Sequence, residues 1–227
     1  MSITDPEYDG EVVTRYELAV IDPPWKWLNW TPGHGERPIP YTTISTAEIA
    51  ALPIGDLLAP NAVVLLWVVD SMLPHAMQCL TAWGLTYKTV GIYWTKERPS
   101  GREHMGLGYY TRANPEQCWI ATKGKGIPRV SKAVRRWLHA PSGAHSEKPD
   151  LFYSKMEELF GDVPRVDVFA RKHRPGWDVI GDAIDGRDIR DVLKEKATPC
   201  GHNERDLSER LAMLTAVEPA GHMELGL

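Results

Sequence analysis

In this chain of 227 residues the groups best placed to do chemistry stand together at Asp22-Pro23-Pro24-Trp25, directly after the apolar run Leu18, Ala19, Val20 and Ile21. Proline has no N–H and confines the residue before it to extended geometry, so the run must stop there as a strand and Asp22 is held at its end. Ligands of open α/β sheets bind outside the carboxyl ends of strands, and a rigid turn carrying an acid and an aromatic ring reads as an active-site loop. A carboxylate and a neighbouring backbone carbonyl, both acceptors and both fixed by prolines, suit a ring bearing an exocyclic amine. They can take its two N–H groups and favour the tetrahedral nitrogen that such a poor nucleophile needs. Trp25 offers a flat face for stacking a base, worth on the order of 1–3 kcal/mol in single-stranded systems. An edge reader and a stacking platform are what a pocket for an extruded base requires. Asp22 is expected to work ionised, as an acceptor, without a raised pKa.

A second candidate is electrostatic. The formal net charge is -4, yet no acidic residue falls between Glu116 and Glu147, a stretch that holds Lys123, Lys125, Arg129, Lys132, Arg135 and Arg136. A one-sign segment in an acidic chain points to phosphate contact, with Lys123 and Arg135 as candidate substrate contacts, and the alternative is a solvated basic loop.

The elements that must position these groups follow from periodicity. Arg15 to Ile21 predicts a short buried strand, and Asn61 to Val69 a central strand buried on both faces. Leu73, Met77, Leu80 and Trp83 have helical spacing that stops at Gly84, and Thr86 to Thr95 returns as a strand, giving a βαβ unit. Ser45 or Thr46 caps a short helix with Glu48 in its first turn, broken at Pro53. Gln117 to Thr122 and a segment near Trp137 and Leu138 read as strands. Pro149-Asp150 opens a helix ended by Gly161, Arg165 to Ala170 is a strand, and Asp178 to Ile184 the last strand. Lys26 to Tyr41, rich in proline and glycine, is a binding-loop candidate, and Arg98 to Thr111 a second loop. Trp67, Trp83 and Trp119 are assigned to the core. The expectation is α/β: about seven strands, mostly parallel, with helices on both faces. One domain spans 1–185 with a loose arm at 1–14, followed by a helical or partly disordered tail at 186–227 with short helices near Ile189 to Lys194 and Leu207 to Val217.

Composition excludes little else. No run approaches the roughly 18 apolar residues of a spanning helix, so no membrane role is expected. The first residues lack the basic-then-apolar pattern of a signal peptide, and with Cys79, Cys118 and Cys200 unpaired in spacing the expected location is the cytoplasm. Cys200 and His202 are too few for a metal site.

The tetrad Asp22-Pro23-Pro24-Trp25 is identical to the DPPW motif of the adenine methyltransferase family that includes the catalytic subunit of the messenger-RNA 6-methyladenine writer and its bacterial and phage relatives. The resemblance continues, in the family's order, at Pro40-Tyr41-Thr42-Thr43-Ile44-Ser45, Leu65-Leu66-Trp67-Val68, Gly106-Leu107-Gly108-Tyr109-Tyr110, Glu116-Gln117-Cys118, His145-Ser146-Glu147-Lys148-Pro149-Asp150, Phe169-Ala170-Arg171 and Arg174-Pro175-Gly176-Trp177-Asp178. It covers roughly residues 15 to 184. It implies a Rossmann-like methyltransferase sheet with permuted motif order, S-adenosylmethionine as cofactor, and adenine N6 methylation in nucleic acid, with DNA preferred over RNA. By position, Asp22 and the Pro23 carbonyl would hold the amine, with Pro24 fixing the turn, and Trp25 would stack on the base. Tyr41 and Glu116 would contact substrate. Lys148 would face the methionine carboxylate, and Asp167, Arg171, His173 and Asp182 would surround the ribose and adenosine. Relatives commonly carry Gly-Asn where this chain has Gly181-Asp182, and Lys26 stands where a second acidic or polar residue is frequent. The competing reading is a catalytically silent nucleic-acid-binding or partner subunit, which would have no need of the Asp22 carboxylate. Methylation of a cytosine amine would use similar logic and is disfavoured by the wider resemblance. A homo- or heterodimer is compatible with the chain's small size.

Overall fold

The computed structural model describes residues 15–26, 43–98, 100–104, 106, 110–143 and 147–197. The expected loop from Lys26 to Tyr41, apart from Lys26 itself, lies outside the described residues, as do Tyr41, Cys200, His202 and the helix expected near Leu207 to Val217.

Strands β1 (Tyr16–Ile21), β2 (Leu58–Val68), β3 (Thr86–Glu97), β4 (Pro115–Lys123), β5 (Trp137–Pro141), β6 (Arg165–Val168) and β7 (Asp178–Ile180) form one sheet in the order β5-β3-β4-β2-β1-β6-β7. Every neighbouring pair is parallel except the two made by β4, which runs against both β2 and β3. The sheet is therefore mixed. The expected βαβ unit has its helix, α3 (Leu73–Ala82), and its two like-directed strands, but β4 is inserted between them. Strand β1 lies where the order departs in two directions, toward β2 and toward β6, so its carboxyl end is a topological switch point. Asp22 follows immediately.

The central strand β2 alternates between two cores. Val64, Leu66 and Val68 face one with Ile49, Ile54, Leu80 and Leu193, while Val63, Leu65 and Trp67 face another with Phe152, Met156 and Phe160. Helices α1 (Thr46–Ala50), α2 (Ile54–Leu57), α3 and α6 (Ile189–Ala197) supply the first layer, and α4 (Asp150–Phe160) the second. Helix α1 begins with a complete capping box: Ser45 Oγ accepts from the Glu48 N–H, and the Glu48 carboxylate accepts from the Ser45 N–H at 3.0 Å. Such a cap is worth about 1 kcal/mol. Gly84 and Gly161, both at positive φ, end α3 and α4 as the sequence predicts.

Two expectations change. The last strand stops at Ile180 rather than Ile184, because Gly181 turns the chain against β6. A Cβ there would lie 2.3 Å from the Ala170 carbonyl oxygen, and the short helix α5 (Asp182–Asp185) follows. Helix α6, beyond the boundary expected at 185, buries Ile189, Val192, Leu193 and Ala197 in the first core, so the packed unit extends through it.

Candidate active site

The carboxyl edge of the sheet gathers Asp22 from β1, Trp67 and Val68 from β2, Glu116 from the start of β4, and Lys148 from the segment leading into α4. Glu116 reaches this edge because β4 is antiparallel: its beginning, not its end, lies beside the end of β2, with Gln117 opposite Val68.

The turn after β1 is fixed by backbone bonds. The Asp22 N–H donates to the Val168 carbonyl, the Trp25 N–H to the Pro23 carbonyl at 2.8 Å, and the Ile44 N–H to the Pro24 carbonyl. Trp25 Nε1–H donates to the Trp67 carbonyl at 3.0 Å. With 4 % of its surface exposed and its ring in the first core, Trp25 is a wall of the recess rather than the open stacking platform expected.

Lys148 is the buried centre of charge. Its Nζ donates to Asp22 Oδ2 at 2.8 Å, lies 3.4 Å from Glu116 Oε2 and stands 5.1 Å from the centre of the Trp67 ring. Glu116 also pairs with Lys96. Burial disfavours the charged form of all three groups, and the neighbours decide the outcome. For Lys148, desolvation is outweighed by the two carboxylates, and its pKa is raised. For Glu116, desolvation is outweighed by Lys148 and Lys96, and its pKa is lowered. For Asp22, desolvation wins over Lys148 and Arg171, with Glu116 adding to the rise, so its carboxyl is pushed up, contrary to the expectation.

Two recesses meet here. One is lined by Asp22, Pro23, Pro24, Trp25, Trp67, Glu116, Lys148 and Arg171 among others, and the other by Asp22, Lys148, Tyr153, Asp167, Phe169, Arg171 and Arg174 among others. Asp22, Lys148 and Arg171 belong to both. In the second, the Tyr153 hydroxyl donates to Asp167 Oδ2 at 2.7 Å, and burial pushes the Asp167 carboxyl up to about 7. Phe169, the only non-glycine residue at positive φ among those described, carries the chain off β6 into this recess. Strain of that kind persists where the surroundings over-determine it. Arg174 lies 3.4 Å from the centre of the Tyr153 ring and pairs with Asp150, which Lys172 also reaches at 2.9 Å.

The structure thus joins Asp22, Pro23, Pro24, Trp25, Glu116, Lys148, Asp167 and Arg171. His173 and Asp182 are exposed beyond the ends of β6 and β7 and line neither recess. Arg135 is exposed just before β5, apart from both. Lys123 requires a correction: it pairs with Ala62 at the opposite edge of the sheet, and its ammonium donates to the carbonyls of Gly55 and Leu58 at 2.8 and 3.0 Å, holding α2 to the start of β2. Trp67 goes beyond the core role expected of it. It is buried, but its carbonyl holds Trp25, its ring lies beneath Lys148, and its Nε1 has no hydrogen-bond partner among the described residues. A tryptophan ending a central strand was the available signal. Lys96 and Tyr153 carried none, and Arg174 was marked only as the first residue of the Arg174 to Asp178 stretch that bears the resemblance. No group of His, Cys, Asp and Glu able to hold a metal ion occurs among the described residues, and no described helix is long and apolar enough to cross a membrane.

The arrangement is a mixed α/β sheet with a proline-fixed carboxylate at its switch point, salt-bridged to a buried ammonium where two recesses meet. Residues 16–183 match the MT-A70 family model, and the chain belongs to that family. It is 28 % identical over 139 residues to the type II methyltransferase M.MunI of Mycoplasma sp, an alignment covering 61 % of this chain and 57 % of that protein. It is 26 % identical over 182 residues to the N(6)-adenosine-methyltransferase MT-A70-like protein of Arabidopsis thaliana, covering 78 % and 25 %. With the N(6)-adenine-specific methyltransferase METTL4 of Homo sapiens it shares 23 % over 183 residues, covering 74 % and 37 %. The chain spans little more than half of the first of these relatives and a quarter to a third or so of the others.

Proposed function

We propose that the chain transfers a methyl group from S-adenosylmethionine to the exocyclic 6-amino group of adenine in nucleic acid, with DNA preferred over RNA. The observation that carries this is the Asp22–Lys148 pair at the junction of two recesses, of which we assign the one walled by Trp25 and Trp67 to the base and the other to the cofactor. Membership of the MT-A70 family supports the reaction, and similarity to a type II methyltransferase supports the preference for DNA.

The residues present fit S-adenosylmethionine. Lys148 and Arg171 line both recesses beside Asp22, which sets two cations where an anionic group of the cofactor could lie. Lys148 and Arg171 would face the amino-acid carboxylate, a task suited to a compact ammonium and a forked guanidinium. Asp167, which lines the second recess, would receive ribose hydroxyls. When bound, the cofactor supplies an electrophilic methyl group.

The chain's own residues prepare the amine. Lys148 takes one lone pair of Asp22, and a carboxylate offers about four acceptor sites, so Asp22 can still accept an amine N–H. The Pro23 carbonyl has a second lone pair beside the bond from Trp25 and can accept the other. These acceptors are fixed before substrate arrives, so orientation costs little at the moment of reaction. Burial raises the affinity of Asp22 for a proton and makes it a stronger acceptor. Trp25 and Trp67 exclude water beside it. Mass spectrometry of nucleosides from DNA and RNA incubated with protein and isotopically labelled cofactor tests the proposal: labelled N6-methyladenosine species, with the deoxy form in excess, are expected.

A further inference from the structure

The ammonium of Lys148 has a counterpart outside both recesses. Lys96, near the end of β3, lines neither of them, yet its ammonium pairs with Glu116 Oε1 while that of Lys148 stands 3.4 Å from Glu116 Oε2. Each ammonium rests over a buried tryptophan, Lys96 at 5.3 Å from the Trp94 ring centre and Lys148 at 5.1 Å from that of Trp67. The two rings meet edge to face at 6.1 Å. Lys96, Glu116, Lys148 and Asp22 therefore form one chain of alternating charge that ends on the acid of the proline-fixed turn. The backbone of Lys96 is held as well: its N–H donates to Asn114 Oδ1, and its carbonyl accepts from the His104 N–H at 2.8 Å.

We propose that Lys96 is a positioning residue for methyl transfer: by neutralising Glu116 it leaves the Lys148 ammonium to Asp22 and the cofactor. The inference rests on the proposed function in assigning Asp22 to the amine and Lys148 to the cofactor.

The balance of charge along this chain argues for the role. The groups that face Glu116 are Lys96 from β3, Lys148 from the segment before α4 and Asp22 from the turn after β1, with Arg171 beside Asp22. Lys148 and Lys96 together keep the Glu116 carboxyl ionised against the cost of burial, each bonded to a different oxygen. Removing Lys96 would leave two carboxylates to share Lys148. The ammonium would be drawn from Asp22 toward Glu116, and the two acids, linked through it, would become easier to protonate. Both changes reach the acceptor that holds the amine, although Lys96 itself touches neither recess.

The test is the pH profile of kcat for methyl transfer to an adenine-containing oligonucleotide by the full chain, Lys96→Met and Lys96→Arg. Methionine keeps the packing over Trp94 and removes the charge. Lys96→Met is expected to lower kcat about tenfold near neutral pH and to move the acid limb of the profile up by about one pH unit, with KM for the oligonucleotide unchanged. Lys96→Arg, which keeps the charge, is expected to return most of both. In a Glu116→Gln background, Lys96→Met should change neither further. A wild-type profile in Lys96→Met overturns the proposal. So does a loss that persists in full in the Glu116→Gln background, or one carried by KM alone, since Lys96 would then act on the substrate directly. Lys96→Gln gives the same reading if Lys96→Met loses its fold. Failure of the proposed function reads differently: wild type itself would transfer no methyl group, while carbon NMR of the ligand-free protein would still show the Glu116 carboxyl titrating at higher pH in Lys96→Met.

Discussion

The Lys148 ammonium donates to the Asp22 carboxylate at 2.8 Å across 126 residues of sequence, tying the turn after the first strand to the segment that enters α4. The same ammonium stands 3.4 Å from Glu116, so three separate parts of the chain meet on one buried cation. Two carboxylates brought this close without it would repel each other in a poorly solvated place.

Lys148→Met is therefore expected to destabilise the fold by about 3 kcal/mol, the lower end for a broken buried pair, because Asp22 and Glu116 each keep roughly a fifth of their side-chain exposure. Urea denaturation measures this. The same variant is expected to lose cofactor affinity, read by calorimetry, and Asp22→Asn in the Lys148→Met background should restore part of the stability by removing the carboxylate that has lost its ammonium, since Glu116 keeps its pair with Lys96.

Asp167 predicts a pH dependence. Burial raises its carboxyl to about 7, with the Tyr153 hydroxyl, Arg174 and Lys148 only partly offsetting the cost of charge. A folded-state pKa above the unfolded value means that the folded state holds the extra proton, so this contribution to stability is full below about pH 4 and is lost as pH rises to about 7. In Asp167→Asn the Tyr153 hydroxyl keeps an acceptor. Its melting temperature is expected to lack the fall that wild type shows across that window, and to exceed wild type at pH 8.

Gly181→Ala tests the contact between the ends of β6 and β7. The added Cβ would meet the Ala170 carbonyl oxygen at 2.3 Å and its nitrogen at 3.0 Å, both backbone atoms that cannot step aside. A loss of about 1–3 kcal/mol is expected, or roughly 2–4 °C of melting temperature per kcal/mol, together with weaker cofactor binding.

The sequence was most legible where local chemistry decides structure. The proline pair after an apolar run marked Asp22, the Ser45 and Glu48 spacing marked a capping box that is complete, and Gly84 and Gly161 marked two helix ends. The doubly buried β2 was readable from its unbroken apolar run. What could not be read locally was tertiary. Nothing in β4 says that it runs antiparallel, and that reversal is what carries Glu116 to the site and Lys123 away from it. The upward shift of Asp22 and the burial of Trp25 likewise depend on what packs around them.

The central claim is that the Asp22 carboxylate holds the amine that receives the methyl group. Its most direct test is transfer of labelled methyl to an adenine-containing oligonucleotide by wild type and Asp22→Ala, with cofactor affinity measured on both by calorimetry. The account predicts that Asp22→Ala transfers at least about a hundredfold less, the loss typical of removing one prepositioned hydrogen-bonding group, while still binding the cofactor. Full transfer by Asp22→Ala would contradict it.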